Sequence, residues 1–292
     1  MTTYMKLIAK ETDLRKRLDI YLSEQLKVTR SQAQHIIRRA EASVNGKPVG
    51  AGYRLKLNDE VTTLPASSRE LPEEPGLLAV LAETKDYIVI DKPAGLTVHA
   101  TSERQTGTLA NRLLAYFPEI REVGEPHRPG IVHRLDRDVS GAMVAAKTQA
   151  TYDYLRNQFA ERKVEKEYAA LVLGTIKDDS GTIKASLGRN RKGRMAVKDD
   201  GLDAVTHFEV LRRGKKATLV KIKTETGRMH QIRVHLKYIS HPIVGDELYA
   251  PKNAKVKSKR LMLHASKIGF VDMAGNEVSY ESPLPEEFKN IP

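Results

Sequence analysis

Residues 65–76 read PASSRELPEEPG, and their three prolines, two serines and one glycine divide this chain more firmly than any other feature. Proline fixes φ and removes a backbone donor, so such a stretch reads as a linker and not as a helix or an inner strand. At 292 residues the chain is long enough for two domains around that break. The expected organisation is a small module over 13–64, a linker over 65–76 and a larger domain over 77–292. The prolines predict a semi-extended tether.

Ahead of the linker, Leu14, Leu18, Leu22 and Leu26 recur every four residues, with Arg15, Lys16 and Arg17 on other faces. That spacing predicts a helix. Thr29 or Ser31 is placed to cap a second helix, with Ala33, Ile36, Ile37 and Ala40 as its apolar side. Asn45-Gly46 between β-prone stretches signals a hairpin turn, with a strand to follow around 60–64. Behind the linker the pattern predicts strands over 77–83 and 87–91, a helix over 109–117, a buried strand over 142–146 and a helix over 152–160. Strands over 168–173, 204–211 and 217–224 follow, then a helix over 229–238. Strands outnumber helices without a βαβ rhythm. The fold class is therefore α+β with a mixed, mainly antiparallel sheet.

Hydrophobic residues make up 40%, enough for a packed core. The absence of cysteine excludes disulfides, thiolate metal sites, iron–sulfur clusters and cysteine nucleophiles. The N-terminus lacks the apolar core of a signal peptide, and no run reaches the roughly 18 apolar residues of a membrane span. A soluble, cytoplasmic protein without membrane association is expected. The net charge of +12 attracts polyanions, with nucleic acid first among them. A merely soluble basic protein is the plain alternative.

The densest polar cluster is His133-Arg134-Leu135-Asp136-Arg137-Asp138, followed by Ser140-Gly141. It falls on a loop between two apolar stretches, a common location for chemistry. Asp136 stands between two arginines, which favour the charged form of a carboxylate. A held, ionised carboxylate can act as nucleophile or base. On this segment alone the plainer reading is an ion-paired loop aspartate. A second cluster runs from Thr226 to Leu236. As a helix it would turn Met229, Ile232 and Leu236 inward and place Arg233 beside that stripe. An arginine there needs a carboxylate partner, for which Asp136 is a candidate. A solvated basic face is the alternative, and Arg228 at the helix start would be freer. His230 and His235 are five apart, unsuited to one helix face, and no HExxH pattern accompanies them. No metal site is expected. Two basic runs without acidic residues, 186–198 and 251–260, suit phosphate contacts or solvated loops.

Taken together, these segments resemble a known family. RPGIVHRLDRDVSG at 128–141 resembles the signature of the RluA-type pseudouridine synthases, and TGRMHQIRVHL at 226–236 resembles their arginine-containing motif. KEYAALV at 166–172 is similar to their tyrosine motif. IVIDKPAGLTVH at 88–99, GRNRKGRMAV at 188–197, HPIVGDELYA at 241–250 and RLMLHASKIGF at 260–270 match in the same order. Arg17-Leu18-Asp19, Arg30-Ser31 and Val44-Asn45-Gly46 resemble the αL-type RNA-binding domain that often precedes this catalytic domain. The chain departs from the family at Val139, where Thr or Ser is usual, and near Ala40 or Glu41, where Gly is usual.

The resemblance implies isomerisation of uridine to pseudouridine within RNA, without a cofactor. It assigns the central carboxylate to Asp136, a pairing role to Arg233, and stacking on the displaced base with a share in proton transfer to Tyr168. Arg134, Arg137, Arg189, Arg194, Arg228 and His230 are the expected RNA contacts. Large-subunit ribosomal RNA is the first expected substrate and transfer RNA the second, with a monomer as the working form. A non-catalytic RNA-binding or ribosome-assembly protein would share the charge and the N-terminal module but would not need Asp136, Tyr168 and Arg233 in motif context. A kinase-like reading of HRLD lacks the Asn, DFG and glycine-rich loop it requires. A glycosidase needs a second, spaced carboxylate, and Asp138 is too local.

Overall fold

The architecture is taken from a computed structural model that describes residues 4–28, 30–38, 40–63, 71–99, 106–125, 127–289 and 291–292. The chain separates into two units, Met1–Glu70 and Leu71–Pro292. Leu71, in the stretch expected to be linker, is buried in the core of the second unit. Pro72 O accepts a hydrogen bond from Asn111 Nδ2 at 2.7 Å. An apolar residue next to the prolines thus ties 71–76 to the second unit. Residues 65–70 lie outside the described residues.

The first unit packs two helices, α1 (Leu18–Leu26) and α2 (Arg30–Arg38), on a three-stranded antiparallel sheet. Strand β1 (Met5–Ile8) lies upstream of the 13–64 module and pairs with β3 (Glu60–Thr63), which also pairs with β2 (Ala42–Val44). Leu18, Leu22 and Leu26 are buried, as the four-residue spacing predicts. Leu14 is 50% exposed, because the chain turns before the helix begins. Ala33, Ile36 and Ile37 form the inner side of α2. Thr29 lies outside the described residues, as does the side chain of Ser31. Asn45 and Gly46 both have positive φ, 51° and 73°, and Val44 and Lys47 exchange both backbone hydrogen bonds across them. That is the two-residue turn the Asn-Gly pair predicts. Buried Asp19 accepts from Arg17, Arg30 and Gln34, which pulls its carboxyl well below the usual range and joins α1 to α2.

The second unit is built on a nine-stranded sheet. In chain order its elements are β4 (Ala79–Glu83), β5 (Tyr87–Lys92), α3 (Leu109–Tyr116), the short pair β6 (Gly124–Glu125) and β7 (Arg128–Pro129), β8 (Ser140–Ala146) and α4 (Gln149–Ala160). Then come β9 (Glu165–Leu173), β10 (Ser180–Lys184), the hairpin β11 (Leu187–Arg189) and β12 (Met195–Val197), β13 (Val205–Arg213), β14 (Ala217–Thr224), α5 (Gln231–Tyr238), β15 (Leu263–Val271) and β16 (Glu277–Glu281). The order across the sheet is β10-β13-β14-β9-β15-β8-β5-β4, with β16 added on β15. Only β15 and β8 run parallel; the other pairs are antiparallel. Gly141 makes that parallel contact, since a Cβ on it (φ 118°) would lie 2.2 Å from Ala265 O. β8 is buried at every position, and with β5, β9, β14 and β15 it forms the main core. The result is a mixed, mainly antiparallel α+β fold.

Candidate active site

Asp136 sits on the loop that leaves β7 and enters β8. Several contacts hold the loop. Gly130 O accepts from Ala146 N, and Val139 N donates to Asp136 O at 3.1 Å. His133 Nε2 accepts from Val144 N at 3.0 Å, and its ring stacks on Phe159 at 4.6 Å. Burial pushes the His133 imidazole down to about 3, so it stays neutral and keeps the lone pair that this bond needs. Below the loop lies Lys92, fully buried at the end of β5. Its ammonium donates to three carbonyls, those of Pro93, Leu96 and Arg137, at 2.9, 2.8 and 3.0 Å. One side chain therefore fastens the 93–96 turn to the Asp136 loop. Burial lowers Lys92 to about 7, with the charges of Asp138 and Asp136 acting against the shift.

Arg233 approaches from α5. Its Nε and Nη2 both reach Asp246, at 2.8 Å each, and its Nη1 donates to Asp136 Oδ2 at 3.3 Å. The partner expected from sequence is thus the second one; the two-pronged fork belongs to Asp246. Asp246 is fully buried and also accepts from Leu248 N and Tyr249 N. Arg233 lies over the Tyr249 ring, 5.1 Å from its centre, and Tyr249 Oη shares a 2.8 Å hydrogen bond with His230 Nδ1. His230 Nε2 stands 3.8 Å from Asp136 Oδ2. Burial lowers the His230 imidazole, against the pull of Asp136.

The helix begins later than its periodicity suggests. His230 takes a left-handed conformation (φ 55°), and α5 starts at Gln231. Gln231 Oε1 accepts from Thr226 Oγ1 and Arg228 N, while its Nε2 donates to Val205 O and Thr206 Oγ1. Met229 therefore lies outside the helix and is 44% exposed at the rim, not turned into the core.

Asp136, Arg233, His230, Arg228, Arg134 and Tyr168 border one cleft of about 520 Å³. Tyr168 reaches it from β9, where it pairs with Ile222 on β14 and Ala265 on β15. Burial, and then the charge of Asp136, push its phenol well above the ordinary range, so the ring is neutral. Among the described residues no protein group bonds its hydroxyl. Arg134 is exposed and 3.5 Å from His99, while Arg137 pairs with Asp138. Among the described residues neither arginine bonds Asp136, and the chain turns directly after it, with Val139 N donating to Asp136 O. Arg228 donates to Asp203 O at 3.2 Å. Arg189 lies on the β11–β12 hairpin, where it donates to Gly193 O and touches Met229 Sδ at 3.6 Å. Arg194 is exposed at the same hairpin. These two stand beside the cleft without bordering it. His235 is separate, bonded to Thr206 Oγ1 and Ala185 O.

Asp246, Tyr249 and Lys92 were not singled out by sequence reasoning. For Asp246 a signal existed: a buried arginine requires a carboxylate, and Gly245-Asp246 lies in a segment already marked by resemblance. Lys92 likewise lies in a segment marked by resemblance, IVIDKPAGLTVH, where it closes an apolar strand.

The cleft thus combines a carboxylate held by a buried arginine, a neutral aromatic ring and a cationic rim, features that suit a planar base on an anionic backbone. Comparison with known proteins supplies the family. Residues 86–238 match the family described as RNA pseudouridylate synthase, and residues 16–61 match the S4 domain. The chain is 39% identical to the RNA pseudouridine synthase YlyB of Bacillus subtilis, over 98% of this chain and 96% of that protein. It is 42% identical to ribosomal large subunit pseudouridine synthase D of Pseudomonas aeruginosa, over 72% of this chain and 69% of that one. The solved structure of human RNA pseudouridylate synthase domain containing 1 matches with a TM-score of 0.60 at 29% identity, covering 72% of this chain and 86% of that chain. This chain belongs to the RNA pseudouridylate synthase family and is an isomerase with an S4 domain ahead of its catalytic domain.

Proposed function

We propose that this enzyme converts uridine to pseudouridine in large-subunit ribosomal RNA, with Asp136 as the reacting carboxylate. One observation carries the assignment. Asp136 is the carboxylate that faces the cleft while bonded to Arg233 at 3.3 Å, with Tyr168 bordering the same space.

The reaction breaks the N1–C1′ bond, turns the uracil and joins C5 to C1′. The proton on C5 leaves to solvent and N1 gains one, so nothing is oxidised or reduced and no cofactor is required by the balance. Asp136 acts on the ribose, either by attack at C1′ or by removing the C2′ proton to give a glycal. Arg233, fixed by Asp246, holds the carboxylate aimed before substrate arrives. Tyr168 stacks on the displaced base, and its hydroxyl, which no described protein group bonds, is free to share in proton transfer. A base stacked in RNA must be flipped out to reach this cleft, at a cost of a few kcal/mol. Contacts from Arg134, Arg228, His230 and the β11–β12 hairpin with Arg189 and Arg194 offset that cost. The S4 domain adds RNA affinity. Support for the ribosomal substrate comes from the relative named for the large subunit. The reading carries with it a monomer acting in the cytoplasm, where that RNA is.

Tritium release from RNA labelled at uracil C5 tests the proposal, on ribosomal and transfer RNA in parallel. Release from ribosomal RNA by the parent enzyme and none by Asp136→Asn, with RNA binding retained, is expected. Release from transfer RNA alone would reassign the substrate. Equal release by both proteins would remove Asp136 from its role.

A further inference from the structure

The loop between Gly245 and Leu261 feeds two places at once. Its ends are fastened together, for Met262 N donates to Val244 O at 3.0 Å. Gly245 (φ 76°) is needed there, because a Cβ would lie 2.0 Å from Arg260 O. The first half of the loop supplies Asp246 and Tyr249 to Arg233. The second half carries Lys252, Lys255, Lys257, Lys259 and Arg260 with no acidic residue. Burial alternates along it: Val256, Ser258 and Arg260 turn partly inward, while Lys255, Lys257 and Lys259 are exposed. Among the described residues none of these lysines pairs with a carboxylate.

Lys252, Lys257, Lys259 and Arg260 line a groove of about 820 Å³ together with Arg137 from the Asp136 loop. Two of its acidic groups are already engaged, Asp138 by Arg137 and Asp246 by Arg233. Glu247 also lines the groove, where its charge acts on Arg137. Arg233 borders both this groove and the Asp136 cleft, so the two hollows meet at one side chain.

We propose that this groove is a second RNA subsite that seats the phosphodiester backbone of the strand flanking the target nucleotide. It rests on the RNA reading above and joins Arg137 and the 251–260 run, which sequence had offered separately, into one seat for the strand. Clustered cations without partners repel one another and are relieved by a polyanion, not by a neutral or apolar ligand. Lysine meets phosphate as a point charge that needs no fixed geometry, which suits a strand of any sequence. The groove shares Arg233 with the cleft, so a strand bound there continues to the base that enters beside Asp136.

The test compares full-length enzyme with Lys252→Gln/Lys257→Gln/Lys259→Gln and with a control, Lys177→Gln/Lys215→Gln/Lys216→Gln, that removes the same charge elsewhere. All six lysines are exposed, and thermal midpoints check folding. The probe is a large-subunit ribosomal RNA transcript tritiated at uracil C5. Filter binding is measured across a KCl series, and tritium release across RNA concentrations. Three lost phosphate contacts make the slope of log affinity against log salt shallower by about 2 and raise KM by about tenfold or more. The control is expected to stay near the parent in both. An unchanged slope in the groove variant, or an equal change in both variants, overturns the subsite. If the parent releases no tritium, the isomerase substrate proposed above is wrong, and the slope comparison still decides the groove on its own.

Discussion

Ala40 holds a backbone conformation that L-residues avoid. Its φ is 54°, and it ends α2 with two hydrogen bonds, Ala40 N to Ile37 O and Glu41 N to Ile36 O. That pattern closes a helix on a left-handed residue, and glycine takes it without steric cost. The departure from the family noted near this position is thus a strained alanine, not a changed turn. Ala40 is exposed and offers no packing in return. Ala40→Gly is expected to stabilise the N-terminal unit by about 1 kcal/mol. Slower amide exchange in α1 and α2 of the full-length protein would show it; exchange as fast as in the parent would contradict the strain. The other departure, Val139, is buried in the main core, where its branched side chain keeps the packing.

At the scale of elements, α5 matters because it brings Arg233 between two loops. One loop carries Asp136 and the other Asp246, and the two carboxylates differ in kind. Asp246 is fully buried and holds both prongs of the guanidinium; Asp136 is partly open and takes one. Asp246→Asn leaves shape but removes the charge, so buried Arg233 loses its main partner. Breaking a buried pair in this way costs about 3–5 kcal/mol. Urea unfolding of the catalytic unit should show a loss of that order, and tritium release should fall with it, because Arg233 is then free to turn from Asp136. Parent-like stability together with parent-like turnover would mean that Asp136 alone positions the arginine.

Over the whole molecule, burial of neutral imidazoles links stability to pH. Burial takes His99 down to about 4 and His133 to about 3, and it also lowers His235 and His264. In the unfolded chain these groups titrate near about 6.5. Below that value the unfolded state binds protons that the folded state refuses, so stability is complete above it and declines as pH falls toward the folded values. Carboxylates stay ionised in both states over most of this window. The thermal midpoint is therefore expected to be lower at pH 5.5 than at pH 7.5. An equal or higher midpoint at pH 5.5 would refute the buried-neutral assignment.

Local order determined what could be read without a structure. The Asn45-Gly46 turn, the leucine spacing of α1, the apolar runs of β5, β8 and β14, and the motif segments around Asp136, Tyr168 and Arg233 each depend on neighbours in sequence or on a few residue types in fixed order. Tertiary structure alone decided which carboxylate receives the arginine's fork, that Lys92 ties two turns beneath Asp136, that Arg134 meets His99 and Arg137 meets Asp138 instead of Asp136, and that Met229 lies at the rim. These outcomes rest on pairs far apart in the chain, such as Arg233 with Asp136 and Lys92 with Arg137. A buried charge specifies that a partner must exist, but only the packing of strands and loops in space selects which one it meets.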